Sequence, residues 1–129
     1  MPRERWLKTA YAYLYIRDFD AARRAFEQAI AEDPDNPETY FHASVTALRN
    51  GEIAYAEEAA AKAAELAPDN SLYVAHLGAV RAEVLVLKAE KALGEGLILE
   101  SKQLLEDALT ADPLCERAYE LQQALEQSG

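Results

Sequence analysis

His42 and His76 stand 34 residues apart, and Cys115 is the only thiol in the 129-residue chain. Two imidazoles facing the same way would form half of a metal site, or a pair that titrates near neutral pH. A zinc site needs further ligands at suitable spacing, and no third residue accompanies this pair. No metal and no cofactor are therefore expected. Cys115 falls near an expected helix start, where the thiol pKa can be lowered. As a lone cysteine it makes neither an internal disulfide nor a zinc cage, so no chemistry is assigned to it. The sequence has no Ser/His/Asp set and no phosphate-cradling glycine loop. Its many carboxylates are spread over charged faces. No catalytic residue is expected, and the chain reads as a non-enzyme.

Charge and composition narrow the partners. Thirteen basic and 23 acidic side chains give a formal charge of −10, and half of the residues are apolar. Such a chain is too apolar for intrinsic disorder, and its length suits one domain. No apolar run approaches the roughly 18 residues that cross a bilayer, and Met1–Lys8 lacks the apolar core of a secretory signal. A cytoplasmic location is the expectation. The acidity is uneven: residues 1–36 carry net −1, residues 37–70 net −4 and residues 71–129 net −5. Phosphate binding needs a basic face, so nucleic acid is excluded as the expected partner. A basic or apolar protein segment suits this field better. Arg3, Arg5 and Lys8 read as a solvated helix face, with no membrane contact expected.

The elements that would position these groups recur with a fixed period. Asp33-Pro34 and Ala67-Pro68 lie 34 residues apart, as do Ala22 and Ala56, and Ala10, Ser44 and Gly78. Trp6, Tyr40 and Val74 share that spacing. Asp112-Pro113 follows 45 residues after Pro68, the same period plus eleven. Counting back from Pro113, Ser101 matches Ala22 and Ala56, Leu105 matches Phe26 and Ala60, and Gly96 stands where Gly51 and Arg17 stand. Trp6, Ala10 and Tyr13, then Ala22, Phe26 and Ala29, step by three and four and so share single helix faces. Each proline closes a unit, because the residue before it is pushed out of the helical region. Asn36-Pro37 supplies a cap and a first-turn proline for the next helix.

This pattern resembles the tetratricopeptide repeat family, in which a bulky residue, a small pair, a Tyr, Ala-x3-Phe and a closing Pro recur. Three units match, at 3–36, 37–70 and 71–113, and the resemblance covers nearly the whole chain. It implies a single all-α domain: a right-handed α-solenoid of three helical hairpins with a C-terminal capping helix over 114–127. In that last helix Leu114, Ala118, Leu121 and Leu125 form the apolar stripe, and its wet outer face covers the open end.

The eleven extra residues belong to the first helix of unit three. Eleven residues make three turns, so the face pattern survives. One long helix is predicted from Leu72 to about Leu93, followed by a Gly94-Glu95-Gly96 turn. Its core register has two solutions. Either Val74, Leu77 and Gly78 or Leu85, Lys88, Ala89 and Ala92 can fill the motif positions. Val84-Leu85-Val86-Leu87 points in four directions, so Val84, Val86 and Leu87 are candidates for self-association as a homodimer as well as for intramolecular packing.

In the family that the chain resembles, the first helices line a concave surface that accepts peptides. That resemblance implies a groove lined by Leu7, Tyr11, Leu14 and Tyr15 from unit one. Unit two would add Glu38, Phe41, His42, Val45 and Arg49, and unit three Leu72, Ala75, His76, Ala79 and Glu83. His42 and His76 then read as groove-edge side chains. Co-chaperone members clamp a terminal carboxylate with Lys, Asn and Arg, whereas Leu7, Tyr11, His42, Leu72 and His76 occupy those positions here. The expected function is an adaptor or chaperone-like module that binds a peptide segment of a protein partner, apolar or basic in character. The alternative is a structural homo-oligomer built through the long helix.

Overall fold

The computed structural model describes residues 2–128, with side chains from Glu4 onward, and the described residues form seven α-helices and no strand. They are α1 (Pro2–Tyr15), α2 (Phe19–Glu32), α3 (Pro37–Arg49), α4 (Ile53–Leu66), α5 (Ser71–Gly94), α6 (Ile98–Ala111) and α7 (Glu116–Ser128). Local chemistry sets the helix starts. Asp18 Oδ1 accepts from the Ala21 amide at 3.1 Å, Asn36 Oδ1 from Glu38 at 3.0 Å and Asn70 Oδ1 from Tyr73 at 3.2 Å. These bonds satisfy amides that the first helical turn leaves open. Pro37 occupies the first turn of α3, where its missing N–H costs nothing. The Tyr40 hydroxyl donates to the Pro34 carbonyl at 2.8 Å and ties the closing turn of the first repeat to the next helix.

The chain divides into two units, one running to Val74 and the other starting at Ala75. In the first, α1 and α2 form one hairpin and α3 and α4 a second. Its core gathers Leu7, Ala10, Ala25, Phe26, Ala29, Ala43 and Ala59, with Trp6, Leu14 and Tyr55 packed alongside. Alanine dominates where helices cross, and small side chains let the backbones approach. The Ser44 hydroxyl, fully buried, donates to the Ala56 carbonyl twelve residues on, at 2.7 Å.

The second unit repeats that contact with the roles reversed: Ser101 Oγ donates to the Ala89 carbonyl at 2.9 Å. Ala89 and Ser101 are also twelve apart, which resolves the two registers open to the long helix. Leu85, Ala89 and Ala92 pack inward at the motif positions, Lys88 is corrected because it is exposed and fills no core position, and Val74 is half exposed. Gly78 has another task. A Cβ there would sit 2.5 Å from the Ala111 carbonyl oxygen, so the end of α6 passes directly over it. The long helix itself runs one residue beyond the expected range at each end.

Each hairpin turn places one residue in the left-handed backbone region. Gly51 (φ 77°) and Gly96 (φ 80°) do so freely, whereas the first hairpin uses Arg17 (φ 61°). A side chain there costs about 1–2 kcal/mol relative to glycine.

The expected range of the last helix needs correction. It starts at Glu116 rather than at residue 114, because Asp112 Oδ1 accepts from the Leu114 amide at 3.0 Å and holds Pro113-Leu114 in a turn. Leu114 is therefore exposed and leaves the stripe, whereas Ala118 and Leu125 are buried with Leu121 beside them.

Truncating the buried ring in Phe26→Ala should cost about 3–5 kcal/mol in urea denaturation, and a negligible loss would contradict the core assignment. Gly78→Ala should cost about 1–3 kcal/mol through the clash with Ala111. Gly94→Ala, which meets nothing within 4 Å, should change stability by less than about 1 kcal/mol. Equal effects of the two glycine substitutions would refute the close contact.

Candidate functional site

An unbroken series of ring contacts runs through the first unit. Phe26 in the core meets Tyr11 edge-on, with centroids 6.1 Å apart. Tyr11 meets His42 at 5.6 Å, also nearly perpendicular. His42 lies 5.4 Å from Phe41, and Phe41 lies 5.1 Å from Tyr73 at the start of α5. Edge-on pairs set the positive rim of one ring against the negative face of the next, which fixes orientation as well as area. The series anchors in the core and ends on partly exposed rings, so a rigid interior positions the exposed ones.

Glu38 stands at the same place, with its Oε1 3.5 Å from His42 Nε2. The Tyr11 phenol is held protonated above its ordinary pKa, first by burial and then by the nearby Glu38 carboxylate. Aromatic faces beside one exposed carboxylate can hold an aliphatic side chain, or a cation stacked on a ring. At the other end of the α1–α3 face, Leu14, Arg17, Phe19, Thr46 and Arg49 line a cleft of about 290 Å³.

The expected groove residues therefore divide. Tyr11, Glu38, Phe41 and His42 are brought together by the contacts above. Val45 is half-buried, Tyr15 stands almost fully exposed, and Leu72 is exposed on the first turn of α5. Leu7 is corrected: it is buried in the first core and offers a ligand nothing. Leu14 packs against that core while also reaching the cleft. Ala75, His76, Ala79 and Glu83 belong to the second unit. There Glu83 is engaged by Arg117, which also pairs with Glu90 and so fastens α7 to α5.

Among the three side chains considered for self-association, Val86 is corrected. It is fully buried in a core with Ala89, Leu105 and Ala118, because α6 and α7 cover that face. Val84 is half-buried and Leu87 exposed. Arg5 stacks over the Trp6 ring at 5.0 Å and Lys8 is solvated, while the side chain of Arg3 lies outside the described residues. Among the described residues, no group of three or more His, Cys, Asp or Glu could hold a metal ion. No helix among them is long and apolar enough to cross a membrane.

Sequence reasoning missed Tyr73 in the ring series and Arg17, Phe19 and Thr46 in the cleft. Tyr73 breaks no pattern, and only its place beside Leu72 hinted at it. Arg17 did leave a signal, because it occupies the position that glycine holds in the other two hairpins.

The tetratricopeptide repeat family matches residues 7–71, half of the chain. The chain belongs to this family. Solved structures agree on the fold. The TPR domain of OM64 from Arabidopsis superposes with a TM-score of 0.59 at 16% identity, covering 99% of this chain and 97% of that one. The first TPR of Spaghetti (RPAP3), bound to the HSP90 peptide SRMEEVD, gives 0.60 at 20% identity, covering 98% and 92%. MamA gives 0.58 at 18% identity, covering 92% and 77%. A search of curated proteins finds no match. As a tetratricopeptide repeat protein the chain is a protein-interaction module built of helical hairpins.

His76 supplies a test of the second unit. Burial lowers its pKa from the ordinary 6.5. A base whose folded pKa lies below its unfolded one favours the unfolded chain once protonated. The neutral-imidazole contribution is therefore full above about pH 6.5 and fades as the pH falls through the folded pKa. The urea midpoint of wild type should fall faster than that of His76→Gln between about pH 6.5 and 5.5. Parallel curves would show that burial of His76 has no energetic weight.

Proposed function

We propose that this tetratricopeptide repeat protein binds a short segment of a partner protein along α1 and α3, with Tyr11, Phe41 and His42 as the recognition surface. The observation that carries this reading is the ring series, which ties exposed aromatic edges to the buried Phe26. Rigid aromatic side chains give contact area at little entropic cost, and a core anchor prepays the ordering that binding requires. Glu38 beside the rings favours a segment with a cationic and an apolar side chain. The net charge of −10 would draw such a segment in.

The first TPR of Spaghetti is described with an HSP90 peptide, and the second TPR domain of human RPAP3 with the HSP70 peptide SGPTIEEVD. Those two complexes support a peptide as the kind of ligand. The terminal-carboxylate clamp is a different matter. By the family resemblance its donor positions fall to Leu7, Tyr11, His42, Leu72 and His76, none of them a Lys, Asn or Arg, and Leu7 is buried. The reading is therefore an adaptor with an apolar and aromatic recognition surface, and binding rather than catalysis.

Selection of random twelve-residue peptides on the immobilised chain should enrich segments that pair Lys or Arg with Leu, Ile or Phe. Tyr11→Ala combined with Phe41→Ala should weaken the selected peptides at least tenfold while the helical circular dichroism signal persists. Unchanged affinity in the double variant would move the binding surface elsewhere. Affinity should also fall as salt rises from 50 to 300 mM, since screening shortens the reach of the acidic field.

A further inference from the structure

We propose that the cleft formed by Leu14, Arg17, Phe19, Thr46 and Arg49 binds a side-chain carboxylate of the partner segment, flanked by an apolar residue. This deepens the peptide-binding reading, on which it rests.

Three observations converge on the cleft. The first is its backbone. Arg17 adopts a left-handed conformation at φ 61°, in a turn where the other two hairpins place Gly51 and Gly96. A non-glycine residue there is strained, and strain persists at sites where the side chain has work to do. The second is the charge. Among the described residues neither Arg17 nor Arg49 makes an ion pair. Arg23, by contrast, is held by Glu27 and Glu52, and Arg117 by Glu83 and Glu90. The cleft lining holds these two guanidiniums and no carboxylate, so it is locally cationic in a chain of net charge −10. The third is shape. The about 290 Å³ of space has Leu14 and Phe19 in its wall, enough for a short apolar side chain beside the acid. A planar guanidinium matches a carboxylate through paired N–H donors, which makes arginine the suitable residue.

The two ends of the face then differ in sign. Glu38 and Arg49 are eleven residues apart on α3, about 16 Å along the helix axis at 1.5 Å per residue. About five residues of extended chain span that distance. A bound segment would lay its cation near Glu38 and its acid in the cleft, so charge order fixes which way it runs.

The test uses end-blocked fluorescent hexapeptides and the full chain, read by fluorescence anisotropy. The probes are Lys-Leu-Ala-Leu-Leu-Glu, the same residues in reverse order, and both with Gln for Glu. One of the two Glu peptides should bind wild type at least fivefold tighter than its Gln counterpart. Arg17→Gly should abolish that preference while Tm rises or holds, because glycine relieves the turn. Arg49→Gln should reduce the preference without changing the turn. Equal binding of Glu and Gln peptides to wild type would overturn the proposal, as would a preference that survives Arg17→Gly. Phe41→Ala keeps the two readings apart. If it leaves every affinity unchanged while the Glu preference persists, the aromatic surface is wrong and the cleft stands. If it weakens all four peptides and no Glu preference exists, the cleft alone is wrong.

Discussion

Close approach of two helix backbones within each hairpin is the constraint on which the other features depend. Ala10 and Ala22, Ser44 and Ala56, and Ala89 and Ser101 are each twelve residues apart, and all six are fully buried. Two of these crossings are fastened by a serine hydroxyl on a facing carbonyl. With side chains this small at the crossing, bulk must sit elsewhere on the same helices. Phe26 and Leu105 are the largest fully buried side chains of the two cores. Tyr11, Phe41 and His42 occupy another face, where nothing in the hairpin covers them fully.

Charge then distinguishes what the aromatic surface can hold. The chain is strongly acidic, yet its charges are not interchangeable. Arg23 lies over the Tyr55 ring at 4.1 Å and pairs with Glu27 and Glu52, so it is bound up in the hairpins. Arg117 is likewise committed to Glu83 and Glu90. Glu38 at one end of α3 and Arg17 with Arg49 at the other remain open to a ligand, and they have opposite signs. A surface with apolar rings between opposite charges selects for order along a segment as well as for composition.

Much of this was legible in the sequence because small residues, prolines and turn glycines act locally. The 34-residue period, the Asn36-Pro37 helix start and a long helix stopping within a residue of the expected Leu93 all follow from local signals of this kind. What stayed hidden depended on tertiary contact. The register of α5 was ambiguous until the Ser101–Ala89 bond resolved it, since three turns of helix preserve the face pattern. Leu7 lies on the groove side by helical geometry, yet the core claims it. Val86 looked surplus within its own helix, and only α6 and α7 explain its burial. Leu114 continued the stripe of α7 by spacing alone, but the Asp112 cap holds it outside the helix. Arg17 was visible as a departure from glycine, and its meaning required the left-handed φ and the uncommitted charge.

The most direct measurement is a ¹H–¹⁵N correlation spectrum of the chain, titrated with a peptide selected for tight binding. Shift changes should concentrate on α1 and α3, at Tyr11, Phe41 and His42, and continue to Arg17 and Arg49. Changes confined to α2 and α4, or to α6 and α7, with α1 and α3 silent, would contradict recognition by the aromatic face.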